Sequence, residues 1–238
     1  MRLTLVRHAT LLLELEGRRV LVEPMLDDAG AREPVEDSPK PRRNPLVPLP
    51  FPAEEVVRGL DAVVVTHMHQ DHFDETGARL VPRDVPVFCQ PEDEERLSGL
   101  GLDARPVENE LDWDGLRIAR TGGRHGADEE VARALAPVSG FVLGRLYIAG
   151  DTVWCREVEE ALERHRPQVA VVNASGARFT ESGPLVMTAG EVREVVARVP
   201  KVVVVHLEAI NHCLESRAEI RDAVPEAFVP EDGETLEL

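Results

Sequence analysis

An α/β domain of stacked strand and helix layers is what this 238-residue sequence predicts. Short β-branched apolar runs alternate with amphipathic segments, no fixed-period repeat appears, and polar residues fit for catalysis gather where apolar runs end. At this length one domain buries roughly 70 to 75% of its unfolded surface. The 43% hydrophobic content supplies the side chains for that, so a single domain over residues 1–238 is expected.

In chain order, Leu3 to Val6, Leu11 to Leu15 and Val20 to Val22 read as opening strands, with Glu16 and Gly17 turning between the last two. From Pro24 to Pro52 eight prolines interrupt any periodicity, and a segment this long (24–53) reads as an active-site lid rather than a connection. A short helix at Glu54 to Gly59 precedes the buried strand Ala62 to Thr66; Pro86 to Gln90 is a strand and Glu92 to Ser98 a helix. Leu116 to Arg120 leads into the glycine-rich stretch Gly122 to Gly126, and Phe141 to Leu143 with Leu146 to Ala149 reads as a hairpin about Gly144 and Arg145. Val169 to Val172 and Val202 to Val205 are apolar strands, and Glu157 to His165, Glu191 to Val199 and Glu215 to Ala223 are helices. Ligand sites of layered α/β folds lie in crevices at strand ends.

The 27 basic and 44 acidic residues leave a net charge of −17, which excludes a broad grip on nucleic acid. No run approaches the ~20 apolar residues of a membrane span, and Arg7, His8 and Glu14 interrupt the opening stretch where a signal peptide stays apolar. A cytoplasmic protein acting on a small molecule, with no nucleic-acid or membrane partner, is the expectation; oligomeric state is not legible. Cys89, Cys155 and Cys213 form no CxxC pair and read as free thiols. Positive charge sits almost wholly on arginine, a planar donor suited to anions, and composition bias across the chain explains that equally well.

The stretch His67-Met-His69-Gln-Asp71-His72 directly follows an apolar strand. Two histidines two positions apart leave an extended backbone on the same face and converge on one cation, while the turn beyond them directs Asp71 and His72 to a second position about 3.5 to 4 Å away, the spacing of a two-metal clamp. Together with Gly123-Arg-His125-Gly, Gly150-Asp151-Thr152 and His206 at the end of a β-branched run, the array resembles the metallo-β-lactamase-fold hydrolases. Through His8-Ala-Thr10, Asn44-Pro-Leu-Val-Pro48 and His206-Leu-Glu-Ala-Ile-Asn-His212 it most resembles the L-ascorbate-6-phosphate lactonase-like branch, over Leu3 to Arg217.

The resemblance implies a four-layer αββα sandwich of two mixed sheets with helices outside. It also implies two divalent cations (Zn, Mn or Fe), one held by His67, His69 and His125 and the other by Asp71, His72 and His206, with Asp151 between them. Taken alone, Asp151 reads equally well as the N-cap of a helix near Trp154. Of His206 and His212, the first is taken as the ligand and the second as a neighbour or substrate contact. His8 is expected to be a buried histidine bonded to backbone or an acid; Glu23 stands where relatives often carry aspartate, one methylene shorter, and that departure leaves a fine positioning role for its carboxylate open. Asn44, Arg43 and Arg42 are substrate-loop candidates. The implied chemistry is hydrolysis by water whose pKa the cations lower from about 15.7 toward ~7, with Asp71 and His212 as catalytic groups, on a small lactone or ester that carries phosphate or lacks it. A small-nucleotide phosphodiesterase and a non-hydrolytic diiron or metal-binding protein are the alternatives.

Overall fold

Two mixed β-sheets lie face to face in a computed structural model that describes residues 1–238. The first runs β13 (Thr235–Glu237), β1 (Arg2–Arg7), β2 (Thr10–Leu15), β3 (Arg18–Val22), β4 (Ala62–Val64), β5 (Pro86–Cys89), β6 (Asp103–Pro106). The second runs β12 (Lys201–Val205), β11 (Val169–Asn173), β10 (Leu146–Ile148), β9 (Gly140–Leu143), β8 (Leu116–Thr121), β7 (Glu110–Trp113). Strands β3 to β6 are mutually parallel, as are β10 to β12, and the remaining pairs are antiparallel.

Alternation along each strand explains the layering, because successive side chains leave opposite faces. Leu3, Leu5, Leu11 and Leu13 meet Val169, Val171, Val203 and Val205 in the core between the sheets. Val6, Leu12, Leu21 and Val63 face outward under α1 (Ala53–Val56), α2 (Glu75–Leu80) and α3 (Glu94–Gly99). Ala170, Val172, Val202 and Val204 face outward under α5 (Arg156–His165), α6 (Ala189–Val196) and α7 (Arg217–Ala223). Strands covered on both faces read as unbroken apolar runs, and this is the αββα sandwich that was expected. A further helix, α4 (Glu129–Leu135), buries no residue. No helix is long and apolar enough to cross a membrane. Cys89, Cys155 and Cys213 are free, the second only half-buried.

The segment from Pro24 to Pro52 contains no helix or long strand, yet it is fastened down. Arg7, fully buried, donates to the carbonyls of Met25 and Asp27 at 3.0 and 2.9 Å and to that of Val47 at 3.0 Å, so one guanidinium ties together both ends of this strap. Arg7→Met keeps the stem and deletes every donor, stranding three carbonyls. It is expected to cost about 3–5 kcal/mol in denaturant unfolding, and a loss under ~1 kcal/mol would show the strap to be held by other contacts.

Candidate metal centre

The site forms where strand ends of both sheets meet. Beyond β4 the chain bends at Thr66, passes His67 and His69 outside any strand, then turns as the amides of His72 and Phe73 donate to the His69 carbonyl at 3.0 and 2.9 Å. His67 Nε2 and His69 Nδ1 come within 3.0 Å, and His125, beyond β8, completes a group whose ring nitrogens all lie within 4.8 Å of one another. A second such group is His8, Asp71, His72 and His206; a third, His67, His72 and Asp151, links the two. Asp151 Oδ2 lies 3.2 Å from His72 Nε2 and 3.4 Å from His125 Nε2, and its Oδ1 lies 3.4 Å from His206 Nε2. The residue is no helix cap, since α5 begins at Arg156 with Cys155 before it.

His8 departs from expectation. It lies in the turn between β1 and β2, is fully buried, and neither ring nitrogen has a hydrogen-bond partner. Its Nε2 stands 3.5 Å from Asp71 Oδ2, and its ring centroid is 3.7 Å from that of His206. The His206 amide donates to the His8 carbonyl at 2.8 Å, which seats β12 of one sheet beside the first turn of the other. Placement of His8 thus depends on sheet-to-sheet packing, and its only trace in the sequence is a polar His-Ala-Thr break between two apolar strands.

Glu23 takes the positioning role that the sequence leaves open. Its Oε1 accepts from the Thr66 amide at 2.8 Å and its Oε2 faces His72 Nδ1 at 3.1 Å, so it aims Nε2 of that ring at the cluster. Similar outer partners stand behind the others: Leu185 carbonyl behind His125 Nδ1 at 3.0 Å, Thr66 Oγ1 behind His67 Nδ1 at 3.0 Å, and Ser175 Oγ behind His206 Nδ1 at 3.3 Å. Asn173 Nδ2 donates to Asp151 Oδ1 at 2.7 Å. His8, Glu23 and His206 all adopt left-handed backbone, with φ of 61°, 50° and 71°. Such conformations cost of order 1–3 kcal/mol each and persist where the surroundings demand them. Gly150 has no such choice, because at φ 68° a Cβ there would stand 2.6 Å from the Ser139 carbonyl.

Burial alone would raise the Asp151 carboxyl, but His206, His72 and His125 hold it well below the ordinary range. For His67 burial acts unopposed by enough negative charge, with His72 adding to it, and its ring is pushed well below the usual histidine value. It therefore offers a lone pair.

A cavity of about 260 Å³ opens onto this cluster at His69, Asp71, His125 and His212. Its apolar walls include Val35 from the strap, Leu135, Phe179, Leu185 and Ile210. His212 is buried with both ring nitrogens unpartnered and its Nε2 3.8 Å from Asp71 Oδ2, yet it belongs to none of the three groups. The substrate-loop candidates fare differently. Asn44 reaches the wall with its amide bound to Asn211; Arg43 turns away to Glu33 and the Gly30 and Ala31 carbonyls; Arg42 lines a separate small cavity beside Cys213.

The donor set suits divalent cations. His8, His72 and His206 bury nitrogens that no protein group satisfies, aimed at shared space, a costly arrangement unless a cation accepts the lone pairs. Imidazole and carboxylate without thiolate suit Zn²⁺, Mn²⁺ or Fe²⁺ alike.

Comparison with known proteins agrees. The chain is 32% identical to the UPF0173 protein YddR of Bacillus subtilis over 99% of both sequences. Among solved structures it superposes on an isothiocyanate hydrolase from Delia radicum gut bacteria with a TM-score of 0.93 at 35% identity, covering 100% of this chain and 99% of the other. It superposes on a possible metal-dependent hydrolase from Veillonella parvula with a TM-score of 0.95 at 30% identity and the same coverage. The model of the beta-lactamase superfamily domain matches residues 18–207, and with the αββα sandwich and the histidine array in place, the chain belongs to that superfamily.

Proposed function

We propose that this protein is a metal-dependent hydrolase with a dinuclear site, acting on a small uncharged electrophile that carries an apolar substituent, with organic isothiocyanates as the best-fitting class. The observation that carries this reading is the cavity: small, apolar on its walls and ending on the histidine cluster. Its one guanidinium, Arg32, is partly taken up, with Nε 3.2 Å from Asp27 Oδ2 and Nη1 donating to the Gln70 carbonyl, while Nη2 has no partner. Apolar walls with a single, partly engaged guanidinium favour an uncharged substrate over a phosphorylated lactone or a nucleotide, with a plain lactone or ester as the competing substrate. The activity of the isothiocyanate hydrolase that shares this fold at 35% identity supports the same choice.

His67, His69 and His125 would hold one cation and His8, Asp71, His72 and His206 the other, with Asp151 facing both. Bound there, the pair would supply Lewis acidity and bring a water's pKa toward neutrality. Phe179, Leu185 and Val35 receive the substituent and exclude bulk water from the reacting carbon. For an isothiocyanate, the water oxygen bonds to the central carbon, the carbon–nitrogen bond breaks, and both protons end on nitrogen, giving an amine and carbonyl sulfide. Asp71 Oδ2 receives a proton from the water and His212 Nε2 delivers one to the nitrogen, their 3.8 Å separation being of the loose kind common before substrate arrives.

The test is amine and carbonyl sulfide release from allyl and benzyl isothiocyanate by metal-loaded protein, beside lactone, ester and phosphodiester panels. Benzyl isothiocyanate is expected to lead, and His212→Ala to lower kcat by ~10²–10⁴ with metal content unchanged. A preference for lactones or phosphodiesters overturns the substrate reading, and loss of metal in His212→Ala overturns the role given to His212.

A further inference from the structure

The strap carries a crossbeam. Arg32 and Asn44 pair antiparallel, amide to carbonyl, at 2.8 and 2.9 Å. At one end Arg32 Nη1 donates to the carbonyl of Gln70, the residue between His69 and Asp71. At the other, Asn44 Nδ2 donates to Asn211 Oδ1 at 2.7 Å and Asn44 Oδ1 accepts from the Asn211 amide at 2.9 Å. Asn211 Oδ1 also accepts from the Val35 amide at 2.9 Å, and its Nδ2 donates to the Lys40 carbonyl at 2.9 Å and to Ser38 Oγ. The two asparagines are buried, 1% and 3% exposed, and satisfy each other without solvent.

The neighbour of Asn211 gives this clasp its meaning. Neither ring nitrogen of His212 has a hydrogen-bond partner, so the ring is located through its backbone. That backbone is held by the Asn211 amide on one side and by the Arg178 amide, 3.3 Å from the His212 carbonyl, on the other. We propose that Asn211, with Asn44 as its partner, is a positioning residue that fixes His212 against the Asp71 loop and holds Val35 in the cavity wall. The kinetic part of this inference rests on the hydrolase reading above; the mechanical part does not. Both asparagine side chains are taken up by each other and by the strap, so the clasp acts on geometry and not as a cation ligand.

The experiment compares metal-loaded wild type with Asn211→Leu, Asn211→Asp and Asn44→Ala. It reads metal content, melting temperature, kcat and KM on the substrate wild type turns over, and amide hydrogen exchange. Asn211→Leu keeps the branched shape and removes the side-chain contacts to Asn44, Val35, Ser38 and Lys40, while the main-chain contact from the Asn211 amide to Asn44 Oδ1 is removed by Asn44→Ala. It is expected to lower kcat by ~10–100-fold with KM within about threefold and metal unchanged, since a displacement near 1 Å costs about that much. Exchange should quicken together in residues 32–47 and 207–213. Asn211→Asp retains the acceptor for Asn44 and Val35 and is expected to recover part of kcat. Asn44→Ala should reproduce the exchange pattern and carries the test if Asn211→Leu does not fold. Faster exchange in only one of the two segments, or a kcat loss matched by loss of folded protein, would overturn the clasp. A wild type that hydrolyses none of the substrates sinks the functional reading instead, while the exchange pattern still decides the clasp.

Discussion

Asp151→Ala is expected to abolish turnover, with kcat/KM down at least ~10³-fold, and to empty both metal positions. The residue touches every part of the centre: its Oδ2 faces His72 at 3.2 Å, His125 at 3.4 Å and His67 at 3.9 Å, while its Oδ1 faces His206 at 3.4 Å. It is 3% exposed, so no solvent can replace the carboxylate between the two groups. Asp71 sits at one side of the cluster, among His8, His206 and His212, so its loss leaves the His67, His69 and His125 group intact. Asn173→Ala provides the graded control: it removes the 2.7 Å donor behind Asp151 and is expected to cost ~10–100-fold. Metal analysis with steady-state kinetics checks both. Two retained cations and activity within tenfold of wild type in Asp151→Ala would remove Asp151 from the shared position.

What the sequence disclosed about this centre follows from the range of the forces involved. His67, His69, Asp71 and His72 announce themselves because their geometry is local, a bend and a turn directly after a buried strand. The strands covered on both faces were legible for the same reason: Val169–Asn173 and Lys201–Val205 are continuous apolar runs in sequence and in space. The elements missed were short and polar. β6 (Asp-Ala-Arg-Pro), β7 (Glu-Leu-Asp-Trp) and β13 (Thr-Leu-Glu) are outer strands of three or four residues that stay partly in solvent, so even the alternation of Leu111 and Trp113 in β7 is too short to stand out. α2 and α4 bury only Gly77 and nothing, respectively. His8 and Glu23 were hard to read because their partners, His206 and His72, lie 198 and 49 positions away: His206 meets His8 only once the sheets stack, and His72 meets Glu23 only once β3 pairs with β4. Arg43 and Asn44 are adjacent in sequence, yet one points to solvent and the other into the clasp, a distinction set by the Arg32 pairing.

Removing both metals is expected to lower the melting temperature by ~16–32 °C, and reloading to restore it. Ligand a thousandfold above its Kd stabilises the native state by about 4 kcal/mol per site, and a chain of this size shifts roughly 2–4 °C per kcal/mol. The structure supplies the reason the effect should be large. Without a cation, the nitrogens of His8, His72 and His206 are buried and unsatisfied, each at about 1–3 kcal/mol, and His8, His206 and the neighbouring Glu23 also hold strained backbone. Evolution has no other evident use for that cost, because these side chains contribute no apolar packing between the sheets. Scanning calorimetry of loaded, chelated and reloaded protein, with elemental analysis of each, measures it. His8→Ala sharpens the result: it removes one donor from the group containing Asp71, His72 and His206 and leaves the His67, His69 and His125 group whole, so bound metal should fall from two per chain to one. An unchanged melting temperature after complete metal removal would mean that the cluster is stable with its lone pairs unclaimed, and the hydrolytic reading would then lose its physical basis.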